Sequence, residues 1–386
     1  MKILCITSRV PWPLEKGDKL RCFHQLRQLS RRHEIVLFAL NDAPLHPEAI
    51  PALSEFCSSV YVHNHSKFDL LKNLVKGYFS GLPFQVAYFT SEAAKKHLAT
   101  IVSKENPEAI YCQLIRTAEY RQQASGKLSV LDYMDVFSKG VERRMSRVPW
   151  YKRWVFRMEW QRLLNYEASV YGKFDRHTVI SRQDRDLIPV VDPTTIEVVP
   201  NGVDIDYFHP KASTNKFELL FNGNMNYPPN IESAQFLVKE ILPLVLEKHP
   251  AVRLLISGAN PAPEVEELAG TNVVVSGWVD DVRESYSASR ILVAPMKISI
   301  GLQNKLLEAM AMRLPCITTP LANNALQAIP GEQLLLADSA QEFSTRICEL
   351  LENPEMANRI ADGGHQLVKN KFDWTSCTAK LEAMFR

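Results

Sequence analysis

The strongest chemical candidates in this sequence are a lysine and a glutamate near residue 300. Lys305 and Glu308 are three positions apart in a segment with helical periodicity, so their side chains lie on one face. Gly301 is predicted to begin that helix, and the free N–H groups of a helix start attract phosphate. Lys305 can then neutralise a diphosphate, and Glu308 can accept hydrogen bonds from the hydroxyls of a ribose. The alternative is a surface ion pair on an ordinary amphipathic helix.

A second candidate for phosphate binding lies near the N-terminus. The apolar run Ile3–Thr7 leads into a loop that contains Arg9 and ends at Gly17 and Asp18, where a helical pattern begins. Such a loop, at the carboxyl end of a parallel strand, is where open α/β sheets place ligands. Gly17 permits close approach of the backbone, and the helix start attracts phosphate. A plain loop with a turn glycine is the alternative.

Two carboxylates, Asp132 and Asp135, lie at the end of the apolar run Ser129–Tyr133. We expect both to face the ligand-binding edge of the sheet, where one of them can orient or deprotonate an acceptor hydroxyl. The alternative is that Asp135 only caps the helix that follows it.

The elements that position these residues are short apolar runs, rich in β-branched residues, that alternate with helical patterns. This order predicts parallel sheets covered on both faces. The series is too long for one sheet, and the stretch 200–214 has no periodic pattern and contains the turn-forming residues Pro200, Asn201, Gly202, Pro210, Ser213 and Thr214. We therefore predict two doubly wound α/β domains, residues 1–205 completed by 372–386 and residues 206–371.

Thirteen strands and a closing helix follow from these patterns. The predicted strands are Ile3–Thr7, Glu34–Leu40, Val60–His63, Ala109–Gln113, Ser129–Tyr133, His177–Ser181, Thr195–Val199, Glu218–Asn222, Arg253–Ser257, Val273–Gly277, Ile291–Ala294, Cys316–Thr319 and Leu334–Ala337. A helix over Lys371–Phe385 is predicted to end the chain after a break at Asp362–Gly364.

The composition excludes several broad classes of protein. The net charge of +2 over 386 residues gives no global attraction to nucleic acid. The seven cysteines are scattered without a C-x-x-C pair, which indicates buried free thiols in a reducing compartment. No run reaches the roughly 18 apolar residues that span a membrane, so we expect a cytoplasmic protein. No D-x-D pair stands at a strand end with partners, so no metal site is predicted.

A basic and aromatic stretch covers residues 139–162. A long helix with its aromatic side chains packed inward explains it, and so does peripheral contact with an anionic membrane surface. Stacking on single-stranded nucleic acid uses the same residue types, but we expect no nucleic-acid partner. The stretch contains Lys139, Arg143, Arg144, Arg147, Trp150, Tyr151, Lys152, Arg153, Trp154, Phe156, Arg157, Trp160 and Arg162.

Several motifs, in order along the chain, resemble those of GT-B glycosyltransferases of family 4. Glu308–Pro315 resembles the second half of that family's E-x7-E and A-x-A-x-G-x-P motif. Val199–Asp204 with Phe208–Pro210 resembles its interdomain linker, Gly277–Asp281 its base-binding strand end, and Phe372–Trp374 the start of its terminal helix. A narrower resemblance, to bacterial exopolysaccharide and exosortase-associated members, is carried by Gly17, Asp18 and Arg21 and by residues 132–135, 223–230 and 301–305.

This resemblance implies a fold and an activity. The fold would be GT-B: two Rossmann-like domains facing across a cleft, with the C-terminal helix crossing back to the first domain. The activity would be metal-independent, retaining transfer of a sugar from a UDP- or GDP-sugar, with no cofactor. The second domain would bind this donor, and the first would bind a glycan or lipid-linked glycan acceptor in bacterial surface polysaccharide biosynthesis.

The residues and the resemblance together give a set of candidate site residues. The catalytic candidates are Asp135, Asp18 and Lys305, and the acceptor candidates are Asp132, Asp135 and Arg21. The donor-binding candidates are Arg9, Gly17, Gly223, Asn224, Gly258, Trp278, Val279, Lys297, Gly301, Leu302, Gln303, Asn304, Lys305 and Glu308.

The chain departs from the family pattern at four positions. Ile300 stands where the first glutamate is usual, and Asn224 and Pro229 stand where a cationic pair is usual. Met134 replaces the usual histidine beside Asp135. We expect Lys305, Lys297 and Arg9 to supply the missing positive charge, aided by the helix dipole. A sugar-nucleotide epimerase of the same fold is one alternative. The losses at Ile300, Asn224 and Pro229 support another, a non-catalytic protein that binds glycan or partner proteins.

Overall fold

The chain forms two compact units, each built around one parallel sheet. The computed structural model describes residues 1–145, 148–211, 216–297 and 302–386. One unit comprises Met1–Pro200 with Cys377–Arg386, and the other comprises Asn201–Ser376. The divisions therefore fall a few residues from the boundaries predicted after residues 205 and 371.

The sheet of the first unit has the strand order β3-β2-β1-β4-β5-β6-β7, and all its recorded pairs are parallel. β1 lies at the centre and is buried on both faces, which is why its sequence is a continuous apolar run. The strands are β1 Lys2–Thr7, β2 Glu34–Asn41, β3 Ser59–Asn64, β4 Ala109–Gln113, β5 Leu128–Asp132, β6 Arg176–Val179 and β7 Glu197–Val198.

Helices cover both faces of this sheet and enclose two apolar clusters. They are α1 Gly17–Leu29, α2 Ala49–Ser54, α3 Lys67–Ser80, α4 Phe84–Phe89, α5 Glu92–Glu105, α6 Phe137–Met145, α7 Arg153–Tyr171 and α8 Arg182–Arg185. Shorter 3-10 segments lie at Ile115–Ala124, Trp150–Lys152 and Pro193–Thr195.

The sheet of the second unit has the order β10-β9-β8-β11-β12-β13, again with parallel pairs. One large apolar cluster fills this unit. The strands are β8 Phe217–Asn222, β9 Leu254–Ser257, β10 Val273–Gly277, β11 Ser289–Ala294, β12 Cys316–Thr318 and β13 Leu335–Leu336. Every predicted strand is present in the two sheets, which confirms the predicted fold class of two Rossmann-like domains.

The helices of the second unit alternate with its strands. They are α9 Pro228–Phe236, α10 Leu242–Leu246, α11 Pro263–Glu266, α12 Val282–Ser287, α13 Asn304–Ala311, α14 Pro320–Leu326, α15 Ala340–Glu352 and α16 Pro354–Lys371, and α17 Trp374–Ala383 follows them. A π-helical turn, Leu237–Ile241, joins α9 to α10. Among the described residues, no helix is both long and apolar enough to cross a bilayer.

The helix predicted to begin at Gly301 begins at Asn304 instead. Gln303 is its N-cap and has an extended backbone, so the predicted start was wrong by about one turn. Gly301 and Ile300 lie outside the described residues. The consequence is that Lys305 lies in the first turn, one position after the helix begins.

The predicted break at Asp362–Gly364 is also wrong, because α16 runs through it. A side-chain Cβ at Gly363 would lie 2.1 Å from the carbonyl oxygen of Glu332, and one at Gly364 would lie 2.9 Å from that of Gln333. These glycines therefore permit close packing of a helix against backbone rather than ending the helix. The predicted C-terminal helix, Lys371–Phe385, agrees more closely with the observed α17, Trp374–Ala383. Leu381 and Phe385, at this end of the chain, belong to the apolar core of the first unit.

Candidate active site

Two glycines bring neighbouring loops into contact at the carboxyl ends of β8 and β9. Gly223 has φ 151° and Gly258 has φ 135°, values that residues with a side chain rarely adopt. A Cβ at Gly258 would lie 1.8 Å from the carbonyl oxygen of Gly223, so only glycine fits. Gly258 also donates its N–H to the carbonyl oxygen of Gly277 at 3.0 Å. The ends of three adjacent strands are thereby held together where doubly wound sheets bind ligands.

Lys305 reaches back from α13 to this pair of loops. Its Nζ donates to Oδ1 of Asn230 at 2.8 Å, and Nδ2 of Asn230 donates to the carbonyl oxygen of Asn224 at 2.9 Å. The ammonium also lies 4.4 Å from the centroid of the Phe221 ring. A Cβ at Gly223 would lie 3.2 Å from Nζ, so the charge stands directly against the glycine loop.

The charge of Lys305 is poorly solvated. Burial lowers the pKa of Lys305 to about 7, and the charge of Glu308 opposes this shift only in part. No ion pair to Lys305 is present among the residues that the structure describes. A desolvated ammonium without a carboxylate partner is a site where an incoming anion restores the balance of charge.

Glu308 occupies the next turn of α13 and is held from one side only. The hydroxyl of Tyr286 donates to Oε2 of Glu308 at 2.7 Å and accepts from Nδ2 of Asn222 at 2.8 Å. Burial raises the pKa of Glu308, while the hydrogen bond from Tyr286 and the charge of Lys305 lower it. Oε1 makes no hydrogen bond with any described residue, so a half-buried carboxylate oxygen is available to a hydroxyl donor.

The remaining donor candidates of the second unit have different surroundings. Trp278 is exposed and its Nε1 lies 3.3 Å from Oδ1 of Asp280, and Val279 is half-buried beside it. Lys297 is exposed, with Nζ 3.6 Å from the centroid of the Phe236 ring. Leu302 packs into the core, so only its backbone can contact a ligand. Oδ1 of Asn304 is buried and has no hydrogen-bond partner within the described ranges.

In the first unit, Arg21 and Asp132 form a buried ion pair. Nε and Nη2 of Arg21 lie 2.7 and 3.1 Å from the two carboxylate oxygens, and both side chains are 0% exposed. Asp132 also accepts from the hydroxyls of Tyr111 at 3.0 Å and Thr178 at 2.9 Å. Neither residue can touch an acceptor in this conformation, which corrects the predicted acceptor contact. The pair instead ties α1 to the end of β5.

Asp135 stands beyond this pair with an unused carboxylate. Its Oδ1 is buried and has no hydrogen-bond partner in the part of the chain that the structure describes, so the alternative that Asp135 only caps α6 is wrong. Glu167 holds that helix start, since its Oε1 accepts from the N–H of Ser138 at 3.0 Å. Burial and the negative charge of Asp184 raise the pKa of Asp135 to about 6. A carboxylate of that pKa is suited to accept a proton near neutral pH.

Arg9 and Asp18 are close together, as the loop after β1 folds back on α1. Nη1 of Arg9 lies 2.9 Å from Oδ2 of Asp18. Nε2 of Gln113, at the end of β4, donates to the carbonyl oxygen of Asp18 at 2.7 Å. Gly17 is the first residue of α1, and a Cβ there would meet nothing closer than 3.7 Å, so this glycine is not required by packing.

Comparison with known proteins indicates the class of this protein. Residues 216–353, which include the Asn222, Tyr286, Lys305 and Glu308 network, match the family Glycosyl transferases group 1. This protein is a glycosyltransferase. The epimerase and the non-catalytic protein considered from the sequence have no comparable support.

Relatives and a solved structure extend the match beyond those residues. The glycosyltransferase is 20% identical to an uncharacterized 44.6 kDa protein in the cps region of Klebsiella pneumoniae, over 96% of each chain. It is 22% identical to the MMP alpha-(1->4)-mannosyltransferase of Mycolicibacterium hassiacum, over 63% of this chain and 60% of that one. The crystal structure of Anabaena Alr3699/HepE in complex with UDP superposes with a TM-score of 0.69 at 13% identity, covering 99% of both chains. The fold of the glycosyltransferase is GT-B.

Several residues of the site were missed by sequence reasoning. Tyr286 and Glu167 carry no motif, and each acts on a residue far away in the sequence. Asn230 lies in the segment 223–230 that carried the narrower resemblance, but nothing in that segment predicts its bond to Lys305. Arg116 was missed as well, although it follows β4 at the same sheet edge as the predicted residues.

Proposed function

We propose that the glycosyltransferase moves a sugar from a UDP- or GDP-sugar to a glycan or lipid-linked glycan of a bacterial surface polysaccharide. The observation that carries this proposal is the Lys305 ammonium, which is desolvated, has no carboxylate partner among the described residues and lies against the Gly223 loop. Support for the nucleotide comes from the UDP complex of the Anabaena protein, and support for the pathway comes from the cps-region relative.

In this proposal the second unit binds the donor. The diphosphate lies against the backbone of Gly223 and Gly258 and takes its positive partner from Lys305. Glu308 accepts from a ribose hydroxyl through Oε1, while Tyr286 holds Oε2. Negative charge builds up on the diphosphate as the sugar departs, so a fixed ammonium at that point stabilises the transition state more than the ground state. Lys297 and the backbone of residues 302–304 are further proposed contacts.

The first unit supplies the proposed base. Asp135 has an unused, buried Oδ1 and a pKa raised to about 6, so it is largely ionised at neutral pH yet basic enough to accept a proton from a hydroxyl. Asp18, paired with Arg9, is proposed to position that loop. Arg21 and Asp132 are proposed as positioning residues that fix the end of β5 from within the core.

Donor and acceptor assays test this proposal. A thermal-shift panel of UDP, GDP and their sugar conjugates identifies the donor, because a ligand stabilises the native state by RT ln(1 + [L]/Kd). Turnover is then followed as nucleoside diphosphate released on addition of acceptor glycans. Failure of every nucleotide to shift the melting temperature contradicts the proposal.

Retention and metal independence are part of the proposal and rest on the family resemblance alone. Proton NMR of the first product formed gives its anomeric configuration, and an inverted anomer contradicts retention. The rate with EDTA is expected to equal the rate with added Mg²⁺ or Mn²⁺.

We also propose that the first unit binds an anionic membrane surface, through α3 as well as the start of α7. Trp150, Tyr151 and Trp154 are exposed by 79%, 55% and 63%, but Phe156 and Trp160 pack against the core. The stretch 139–162 therefore has exposed aromatic side chains that are available for membrane contact, and others that pack in the core. Arg147 of this stretch lies outside the described residues.

Helix α3 has the more continuous apolar face. Five of its large hydrophobic side chains are exposed by 49% to 81%, and at 100° per residue they occupy about 100° of arc. The opposite arc carries the buried residues of α3. Lysines border the apolar stripe on both sides, as in helices that lie in the headgroup layer of anionic bilayers. The stripe is Phe68, Leu71, Val75, Tyr78 and Phe79, and the lysines are Lys67, Lys72 and Lys76.

Vesicle flotation tests the membrane proposal. The double variant Leu71→Ser/Phe79→Ser is expected to lose most binding to vesicles containing anionic lipid, because it removes two exposed apolar anchors. Val191→Ser is the control, since Val191 is fully exposed elsewhere on the first unit. Equal flotation of both variants, or binding that ignores the anionic lipid fraction, contradicts the proposal.

A further inference from the structure

A cavity of about 360 Å³ opens on the first unit and has a charged wall and an aromatic wall. The charged wall includes Arg9, Asp42 and Arg116, and the aromatic wall includes Tyr88 and Phe89 from α4. Helix α4 is fixed in place by Glu159, whose carboxylate accepts from the N–H groups of Phe84 at 2.7 Å and Gln85 at 3.1 Å. The aromatic wall is thus held in place by hydrogen bonds within the protein and does not need a ligand to position it.

Arg116 has more hydrogen-bonding capacity than its neighbours use. Its Nη2 donates to Oε1 of Gln85 at 3.0 Å, while its Nε is buried without a partner. Arg116 forms no ion pair with any residue of the described ranges. Its guanidinium lies 4.7 Å from the Phe137 ring centroid and 5.6 Å from that of Phe89. Aromatic faces stabilise a cation only partly, so the charge lacks its normal counter-ion.

A second cation approaches the same ring. The guanidinium carbon of Arg9 lies 5.9 Å from the Phe89 centroid, and Asp18 already neutralises this residue. Burial and the charge of Arg9 lower the pKa of Arg116 to about 10. Asp42 does not form an ion pair with Arg116 in the described part of the chain, and its carboxylate accepts a hydrogen bond from the hydroxyl of Tyr88 at 3.2 Å. The charges of Asp18, Asp135 and Asp42 offset the burial of Arg116 only in part, and none of them forms an ion pair with it among the described residues. The cavity therefore presents a guanidinium without a direct ion-pair partner, a carboxylate that can bind hydroxyl groups, and aromatic surface.

We propose that this cavity binds a negatively charged sugar residue of the acceptor, with its carboxylate or phosphate on the Nη groups of Arg116. A guanidinium recognises either anion through paired N–H donors, which is the capacity that Arg116 leaves unused. Asp42 and Tyr88 contact the hydroxyl groups of the same residue. This inference rests on the proposed function in that it names the acceptor class, but binding can be measured without turnover.

Saturation-transfer NMR and calorimetry on the full chain test the inference with three probes: D-glucuronate, D-glucose 6-phosphate and D-glucose. Binding of at least one anion is expected to be tenfold or more tighter than binding of glucose, and to weaken with added salt. The stronger of the two anions identifies a carboxylate or a phosphate as the natural group. Arg116→Met is expected to remove this preference, and Arg31→Met, at an exposed site on the same unit, is expected to keep it.

The outcomes separate this inference from the proposed function. Affinity for the nucleotide donor is measured on the same Arg116→Met sample and is expected to be unchanged. Circular dichroism and a thermal unfolding curve show whether the first unit of the variant is folded. If Arg116→Met does not fold, Arg116→Lys replaces it, since it keeps the charge but lacks the paired N–H donors of a guanidinium, and a several-fold loss is expected. Equal binding of all three sugars, or anion binding that survives both variants, overturns the inference even if glycosyl transfer is observed. Anion binding lost in the variant supports it even if transfer is not.

Discussion

Donor binding by this glycosyltransferase is expected to depend on the protonation of Lys305. Burial lowers the pKa of Lys305 to about 7, so close to half of the free protein carries an uncharged amine at neutral pH. A diphosphate against Nζ favours the ammonium and raises this pKa in the complex. The diphosphate of a nucleotide sugar does not itself titrate near neutrality, so the pH dependence between pH 7 and 8 comes from the protein. The uracil or guanine base begins to ionise near pH 9, and Lys305→Met shows the size of that contribution.

The size of the effect follows from linkage. When only the protonated form binds, the apparent Kd grows as 1 + 10^(pH − pKa), so it rises about fivefold from pH 7 to 8 and about 50-fold from pH 7 to 9. The first step corresponds to about 1 kcal/mol. Binding should take up about half a proton at pH 7 and about 0.9 proton at pH 8. The sign is fixed, since raising the pH removes the charge that the diphosphate needs.

Calorimetry measures both quantities. Titrations of UDP-glucose and GDP-mannose at pH 7, 8 and 9, each in two buffers of different ionisation enthalpy, give the affinity and the proton uptake. Lys305→Met is expected to bind about 10–100-fold more weakly at pH 7, as loss of charge-assisted hydrogen bonds requires, and to show no pH dependence. Lys239→Met, an exposed lysine of the same unit, is the control.

Two results would refute the reasoning. An affinity that stays constant from pH 7 to 9 in the native protein, without proton uptake, means that Lys305 does not meet the diphosphate. The same pH dependence in Lys305→Met means that another group is responsible. The variant itself should fold, because it replaces a desolvated cation with an apolar side chain beside Phe221 and Met296.

Three further changes have defined outcomes. Asp135→Asn should abolish turnover and leave the donor Kd unchanged, and unchanged turnover in the variant excludes Asp135 as the base. In the native protein, kcat/KM should rise with pH through about 6, where the carboxyl group of Asp135 ionises. Tyr286→Phe should lower the free energy of unfolding in urea by about 1–3 kcal/mol, because it leaves groups on Asn222 and Glu308 without their partner, and a neutral result would show that water replaces the hydroxyl. Gly258→Ala should cost at least about 1–3 kcal/mol through backbone strain, whereas Gly270→Ala, where a Cβ meets nothing within 4 Å, should change stability little.

The alternation of apolar runs with helical patterns was sufficient to predict the strands and the two-sheet fold. The central strands are short stretches that are buried on both faces, and a strand of this kind requires a continuous run of apolar residues, which is visible in the sequence. Helix ends were less predictable. Gly363 and Gly364 predicted a break between helices, but in the structure they lie within a helix, at its contact with the backbone of residues 332–333.

The tertiary structure alone decided the surroundings of the charged residues. The sequence placed Lys305 and Glu308 on one helix face, but their states depend on Asn230 and Tyr286, which come from other helices. It also placed Arg21 near the candidate acceptor site, whereas the pair with Asp132 lies wholly inside the core. Desolvation and hydrogen bonding depend on residues that are distant in the chain and close in space, and no local pattern records them. Periodicity therefore determined the scaffold of this glycosyltransferase, and packing determined which of its charges are available for chemistry.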